Sequence, residues 1–260
     1  MTVNEKEQQV FLEPTEHRYF HRESGKEYTS LSRVRNDYKE PFNDQMIAFA
    51  VAKKRLKLSG YEFPDKDMLR NEQVKVLKEW DGKLKSATDI GTKVDTAIDH
   101  YFATTEILYP EMAELMHNLG HLMSGYKKRI SKAVVWSDAH NVAGEVDKLC
   151  IRRAKNIADY YDYKTNLHKG MQYMSKNNSF MKSPLDYMED CNYNDVALQL
   201  SCYALMGEIC YDLKPGKLTA VLIDTENDYH YKLIPVPYMK HTAWAMLEHW
   251  RKNHNPEENF

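Results

Sequence analysis

The 260-residue sequence predicts an α/β fold, a core sheet with a helical elaboration in front of it. Two observations predict it. The stretch from about Ser32 to Arg129 has helical texture, while the second half alternates strand-like runs with helical segments, in the order strands, helix, strands, helix. With 42% hydrophobic residues, the chain can bury the core of one large domain or two small ones.

Taken in order, Val10 to Glu13 reads as a strand and Arg18 to Thr29 as a hairpin turning near Ser24-Gly25. The helical stretch is cut by Pro41, by Ser59-Gly60 with Pro64, and by Pro110. Within it, Val94, Ala97, Ile98 and Tyr101 recur at helical spacing. Ala133 to Trp136, Gly144 to Arg153 and Ile157 to Thr165 read as strands, and the polar, methionine-rich run Asn166 to Tyr193 as a loop that is mobile in part. Asp195 to Cys210 predicts a helix, Leu218 to Asp224 and Tyr229 to Val236 a strand pair, and Met239 to Lys252 a closing helix. The expected division is a hairpin-and-helix region over 1–130 and a core over 131–260, integrated into one domain.

Composition narrows the function. A net charge of −2 argues against a protein that coats DNA regardless of sequence, although local grip on phosphates stays open. The basic clusters Lys53, Lys54, Arg55, Lys57 and Lys127, Lys128, Arg129 each read as a solvated helix face. The four cysteines, Cys150, Cys191, Cys202 and Cys210, form no CxxC pair, which disfavours a zinc ribbon; reduced, mostly buried thiols are expected. No apolar run is long enough to span a membrane, and Met1 to Val10 lacks the character of a signal or transit peptide, so a cytoplasmic protein is expected.

The candidate chemistry lies on a hairpin. Asp162 and Lys164 are two apart on a strand and share a face. If the turn is Ala154-Lys155, antiparallel pairing puts Asp147 opposite Asp162, and a three-residue turn shifts this by one position. Two adjacent carboxylates in a low-dielectric pocket repel, and a divalent cation relieves the repulsion. Oxygen ligands with an open water shell suit Mg²⁺ or Mn²⁺. Lys164 could orient an attacking water or neutralise charge developing on a phosphoryl group. An isolated D-x-K triplet is common and by itself reads as a surface ion pair.

The surrounding residues change that weighting. Gly144-Glu145-Val146-Asp147 followed by Asp162-Tyr163-Lys164-Thr165 resembles the G-x-(I/V)-D…D-(Y/W)-K-T signature of RecB-like PD-(D/E)XK nucleases. Gln199-Leu200-Ser201-Cys202-Tyr203 resembles that family's Q-x-x-x-Y motif, and Gln199 and Tyr203 share a helix face. Gly91-Thr92-Lys93-Val94-Asp95 with Ile98-Asp99 resembles its G-T-x-x-H-x-x-I-E helix, and Tyr28-Thr29-Ser30-Leu31-Ser32 the strand-to-helix junction of phage-type members. Pro184-Leu185 and Asp190-Cys191-Asn192 sit where those members carry a similar stretch.

The resemblance spans Tyr28 to the C-terminus. It implies a restriction-endonuclease-like core, a central mixed sheet flanked by helices. It also implies Asp147, Asp162 and the Tyr163 carbonyl as metal ligands, Lys164 serving the water or the transition state, Gln199 orienting Lys164 or a phosphate, and Tyr203 supporting it. Asp95 stands where many members place a ligating histidine, and Asp99 where members often have Glu; for both, a metal ligand and a solvated helix face weigh evenly. Asp138 is a weaker candidate acid, and His100 points off the Asp95–Asp99 face.

The implied activity is Mg²⁺- or Mn²⁺-dependent DNA hydrolysis, by an exonuclease of phage-type recombination, replication or DNA processing. Two alternatives stand beside it: a structure-specific or nicking endonuclease with the same site, and a DNA-binding module with a degraded nuclease fold. DNA ends or single strands and a recombination or replication protein are the partners implied, with no membrane; for a phage protein the compartment is the host cytoplasm. His117 and His121, four apart, read as a surface pair because no third ligand sits at a zincin-like spacing. Tyr161 is expected in the core, and Trp244 and Trp250 as packing residues.

Overall fold

The computed structural model describes residues 9–153, 156–165, 170–175 and 178–254. The chain forms two compact units, one comprising the residues up to Glu40 and from Asp95 onward, the other Pro41–Val94.

The first unit carries one eight-stranded mixed sheet. Strands β1 (Val10–Glu13), β2 (Arg18–His21) and β3 (Glu27–Ser30) form an antiparallel meander. β4 (Lys128–Ser137) and β5 (Val142–Ile151) pair antiparallel along their whole length, from Lys128↔Ile151 to Ser137↔Val142. The other edge of β5 is shared. β3 pairs there in parallel with Val142 and Ala143, and β6 (Ile157–Lys164) pairs antiparallel with Lys148 to Ile151. Residues 144–147 lie between those two ladders, so the sheet is open on that edge where the Gly144–Asp147 motif runs. β7 (Lys214–Asp224) follows β6 in parallel and β8 (His230–Val236) closes the sheet antiparallel. The central mixed sheet flanked by helices is therefore the fold that was expected, and β1–β3 belong to that sheet.

The main helix of this unit is α5 (Asn192–Tyr211), numbered in chain order after α1 (Leu31–Asp37), α2 (Asp44–Leu58), α3 (Lys66–Thr104) and α4 (Ala113–Leu122). It is buried nearly all round because it packs on the sheet and against α6 (Lys240–His254). Gly207 is required there, since a Cβ would run into the Tyr160 hydroxyl. All four cysteines are buried thiols outside any disulfide. No helix among the described residues is long and apolar enough to cross a membrane.

In the second unit, Asn43 caps α2 by accepting from the Met46 amide at 3.0 Å. Arg55 of α2 grips Glu79 of α3 with two hydrogen bonds of 2.9 and 2.8 Å, so this member of the first basic cluster serves packing between helices.

Three sequence expectations need correcting. The helical stretch stops at Leu122, not Arg129; Lys127 bonds the Ile151 carbonyl and Lys128-Arg129 begin β4, so the second basic cluster is not a helix face. A strand pairing nine residues long outweighs the helical texture of that segment. Trp244 is 48% exposed, its ring edge-on to His140, whereas Trp250 is buried as expected. The expected turn Ala154-Lys155 and parts of the expected loop Asn166 to Tyr193 lie outside the described residues.

Candidate active site

The site forms where β5 and β6 diverge. Their ladder ends at Lys148↔Tyr161, a register whose next step sets Asp147 against Asp162. In place of a further backbone pair, the Tyr163 amide donates to Asp147 Oδ2 at 2.7 Å. This fixes one oxygen of Asp147 and leaves Oδ1 aimed elsewhere.

Asp162 is 2% exposed. Its Oδ2 forms an ion pair with the Lys164 ammonium at 2.7 Å and finds no hydrogen-bond partner of good geometry among the described residues. Burial, opposed by Lys164 and then aided by the nearby Asp147 charge, pushes the Asp162 carboxyl above the usual carboxylate range. Burial works against the Lys164 ammonium as well, but Asp162 outweighs it and keeps the group a cation. Lys164 also donates to Gln199 Oε1 at 3.4 Å, and Gln199 Nε2 donates to the Tyr203 hydroxyl at 3.1 Å. Tyr203 in turn lies against Gly144, where a Cβ would come within 2.7 Å of the ring. Asp162, Lys164, Gln199 and Tyr203 thus form one continuous polar chain from β6 into α5.

Asp95 and Asp99 project from α3 within the first unit. Asp95 Oδ2 is 2.5 Å from the ammonium of Lys132, which also lies 3.4 Å from Asp147 Oδ1 and 4.0 Å from Glu145 Oε1. Burial, only partly offset by Lys132, raises the Asp95 carboxyl, and burial takes Glu145 to about 7. Asp99 lies 4.0 Å from the ammonium of Lys148, which is wholly buried, donates to Ser131 and sits 3.9 Å above the Phe102 ring. Burial lowers Lys148 to about 8.

The remaining candidates fall elsewhere. Asp138 is taken by the Tyr28 hydroxyl at 2.5 Å and by Lys26. His100 pairs with Glu106, off the Asp95 face. His117 and His121 are exposed on α4, and Tyr161 is buried.

Four residues escaped the sequence reading: Glu145, Lys132, Lys148 and Arg35. Glu145 had a signal, since it shares the parity of Asp147. Lys132 had none, because its place depends on a left-handed backbone, φ 53°, inside a strand. Arg35, buried at the end of α1, is anchored to Asp195 at 2.5 Å and adds positive charge toward Asp162.

Among the described residues, no three His, Cys, Asp or Glu side chains converge as a ready cage for a metal. Mg²⁺, however, is commonly held through one or two carboxylates and keeps several waters. Asp147 and the hydrogen-bond-deficient Asp162 are hard oxygen donors of that kind, so the residues present fit such an ion.

No protein-family model matches the chain, and no curated protein matches it. Among solved structures it is similar to the crystal structure of a "putative exonuclease" from Eubacterium rectale, with 14% identity and a TM-score of 0.44, covering 90% of this chain and 84% of that one. Fold and site together define an α/β protein with a split-sheet acidic site served by a half-buried lysine that leads to a buried glutamine and tyrosine.

Proposed function

We propose that the protein is a metal-dependent DNA nuclease with a restriction-endonuclease-like core, of the RecB-like type that its motifs resemble. The observation that carries this reading is the convergence of Asp147, Asp162 and Lys164 at the opening between β5 and β6, with Gln199 and Tyr203 behind them. A two-carboxylate-plus-lysine site beside an open sheet edge suits phosphodiester hydrolysis.

Asp147 and Asp162, with the Tyr163 carbonyl, would hold Mg²⁺ or Mn²⁺. Bound there, the ion would supply Lewis acidity toward water and the phosphoryl group. The protein's own groups do the rest. Lys164 has three donors and no acceptor while protonated, so it directs the attacking water and meets the negative charge that grows on the phosphate oxygens. Gln199 holds the Lys164 ammonium in place, and Tyr203 holds Gln199. Water attacks phosphorus, one P–O ester bond breaks, and the products are a phosphate monoester and a hydroxyl. The resemblance of its motifs to phage-type members favours an exonuclease acting on DNA ends, in a cytoplasmic setting and beside a recombination or replication protein.

The test compares wild type with Lys164→Ala on end-labelled linear and covalently closed circular DNA, with Mg²⁺, Mn²⁺ or EDTA. Expected are metal-dependent loss of the linear substrate, survival of the circle, and an inactive variant. Cutting of the circle would move the assignment to an endonuclease with the same site. DNA binding without cleavage under any metal would end the catalytic reading.

A further inference from the structure

Lys132 has no role in the site as the sequence motifs describe it, yet it occupies the centre of the acidic face. It lies between the pairs Ser131↔Lys148 and Ala133↔Val146, directly across from Asp147. Its φ of 53° is one that L side chains rarely adopt and that strands normally exclude. That backbone swings the ammonium to 2.5 Å from Asp95 Oδ2 and 3.4 Å from Asp147 Oδ1, with Glu145 at 4.0 Å. Asp147 Oδ2 is already taken by the Tyr163 amide, so both oxygens of Asp147 have a partner within the protein.

Resting on the metal site proposed above, we propose that Lys132 is a positioning residue, a tethered counter-ion that neutralises Asp95 and competes with the metal ion for Asp147. Two consequences follow. Asp95, at the position where the resembled motif has a ligating histidine, answers to Lys132 and does not ligate the metal. Asp147 Oδ1 becomes available only as the ammonium withdraws, so Lys132 sets the metal concentration the site demands.

Direct Mn²⁺ titration, followed by calorimetry and by the spin resonance of the free ion, tests this without DNA or turnover. The variants are Lys132→Gly and Lys132→Asn, which remove the charge with side chains that tolerate a left-handed backbone, and Lys132→Arg, which keeps the charge. Expected is Mn²⁺ binding about tenfold tighter in both neutral variants, with the arginine variant near wild type. Asp95→Asn should leave the affinity of wild type nearly unchanged but weaken that of Lys132→Gly, because Asp95 is then free to ligate.

Neutral variants that bind Mn²⁺ no more tightly than wild type overturn the proposal. Asp162→Asn separates this failure from that of the nuclease reading. If Asp162→Asn abolishes Mn²⁺ binding while Lys132→Gly changes nothing, the metal site stands and the counter-ion role is wrong. If Asp162→Asn binds Mn²⁺ as wild type does, or no variant binds it, the metal site falls and the counter-ion role with it.

Discussion

Strand β6 carries two buried aspartates, three residues apart, that the protein treats in opposite ways. Asp159 is 1% exposed and saturated. Arg152 reaches it with two hydrogen bonds of 2.7 and 3.2 Å, the Tyr126 hydroxyl with one of 2.5 Å, and the Lys217 amide with one of 2.6 Å. Asp162 is 2% exposed, and among the described residues its Oδ2 meets the Lys164 ammonium as an ion pair without a hydrogen bond of good geometry. Burying a carboxylate is costly unless it is fully paired, so Asp159 is built as a structural tie and Asp162 is left short of partners. A carboxylate left short at an open sheet edge is where chemistry is to be sought.

The largest expected effects break this comparison directly. Asp162→Asn should reduce DNA cleavage on the order of a thousandfold, measured as single-turnover rate, while leaving urea stability equal or slightly raised because a buried charge is gone. Asp159→Asn should do the reverse, costing about 3 kcal/mol in urea denaturation with the rate per folded molecule unchanged. Equal effects from the two substitutions would mean that Asp159 and Asp162 serve the same role.

A smaller loss is expected from Gly144→Ala, which drives a methyl group into the Tyr203 ring. About 2 kcal/mol of stability should go, together with activity, since the ring that supports Gln199 must move. Tyr203→Phe sharpens the point by keeping the ring and removing only the hydroxyl that accepts from Gln199. It should lower the rate about tenfold with little change in stability.

The smallest effect lies at the far end of β4–β5. His140 is buried, its Nδ1 2.7 Å from Ser137 Oγ and its Nε2 3.7 Å from Glu248, and burial holds it below its ordinary value of 6.5 despite Glu248. A base that is neutral when folded and protonates when unfolded stabilises above pH 6.5 and loses that contribution as pH falls below it. His140→Asn should flatten this part of the stability profile. An unchanged slope between wild type and variant would mean that His140 is not held neutral.

The strand-and-helix order and the pairs Asp162–Lys164 and Gln199–Tyr203 were legible because they rest on local rules, whereas the link from Lys164 to Gln199 joins residues 35 apart and came from the motif resemblance. Parity places Asp162 and Lys164 on one face, and a spacing of four places Gln199 and Tyr203 on another. Lys128 and Arg129 are strand rather than helix, and Lys127 bonds the Ile151 carbonyl, because their state depends on Ile151 and Cys150, more than twenty residues away. Trp244 was misread because its exposure depends on what α6 packs against, which no spacing within the helix reveals.

The sequence by itself thus determined which residue types carry the candidate chemistry and which of them share a strand or a helix face, since those relations follow from backbone periodicity. Only the tertiary structure decided that β5 gives its edge to β3 first and to β6 later, leaving the opening where Asp147 and Asp162 meet. It alone decided that Asp95 is claimed by Lys132 and that Asp159 is satisfied while Asp162 is not. Each of these depends on which distant side chains reach a buried charge, and pairing a buried charge is a property of the packed interior rather than of the neighbouring sequence.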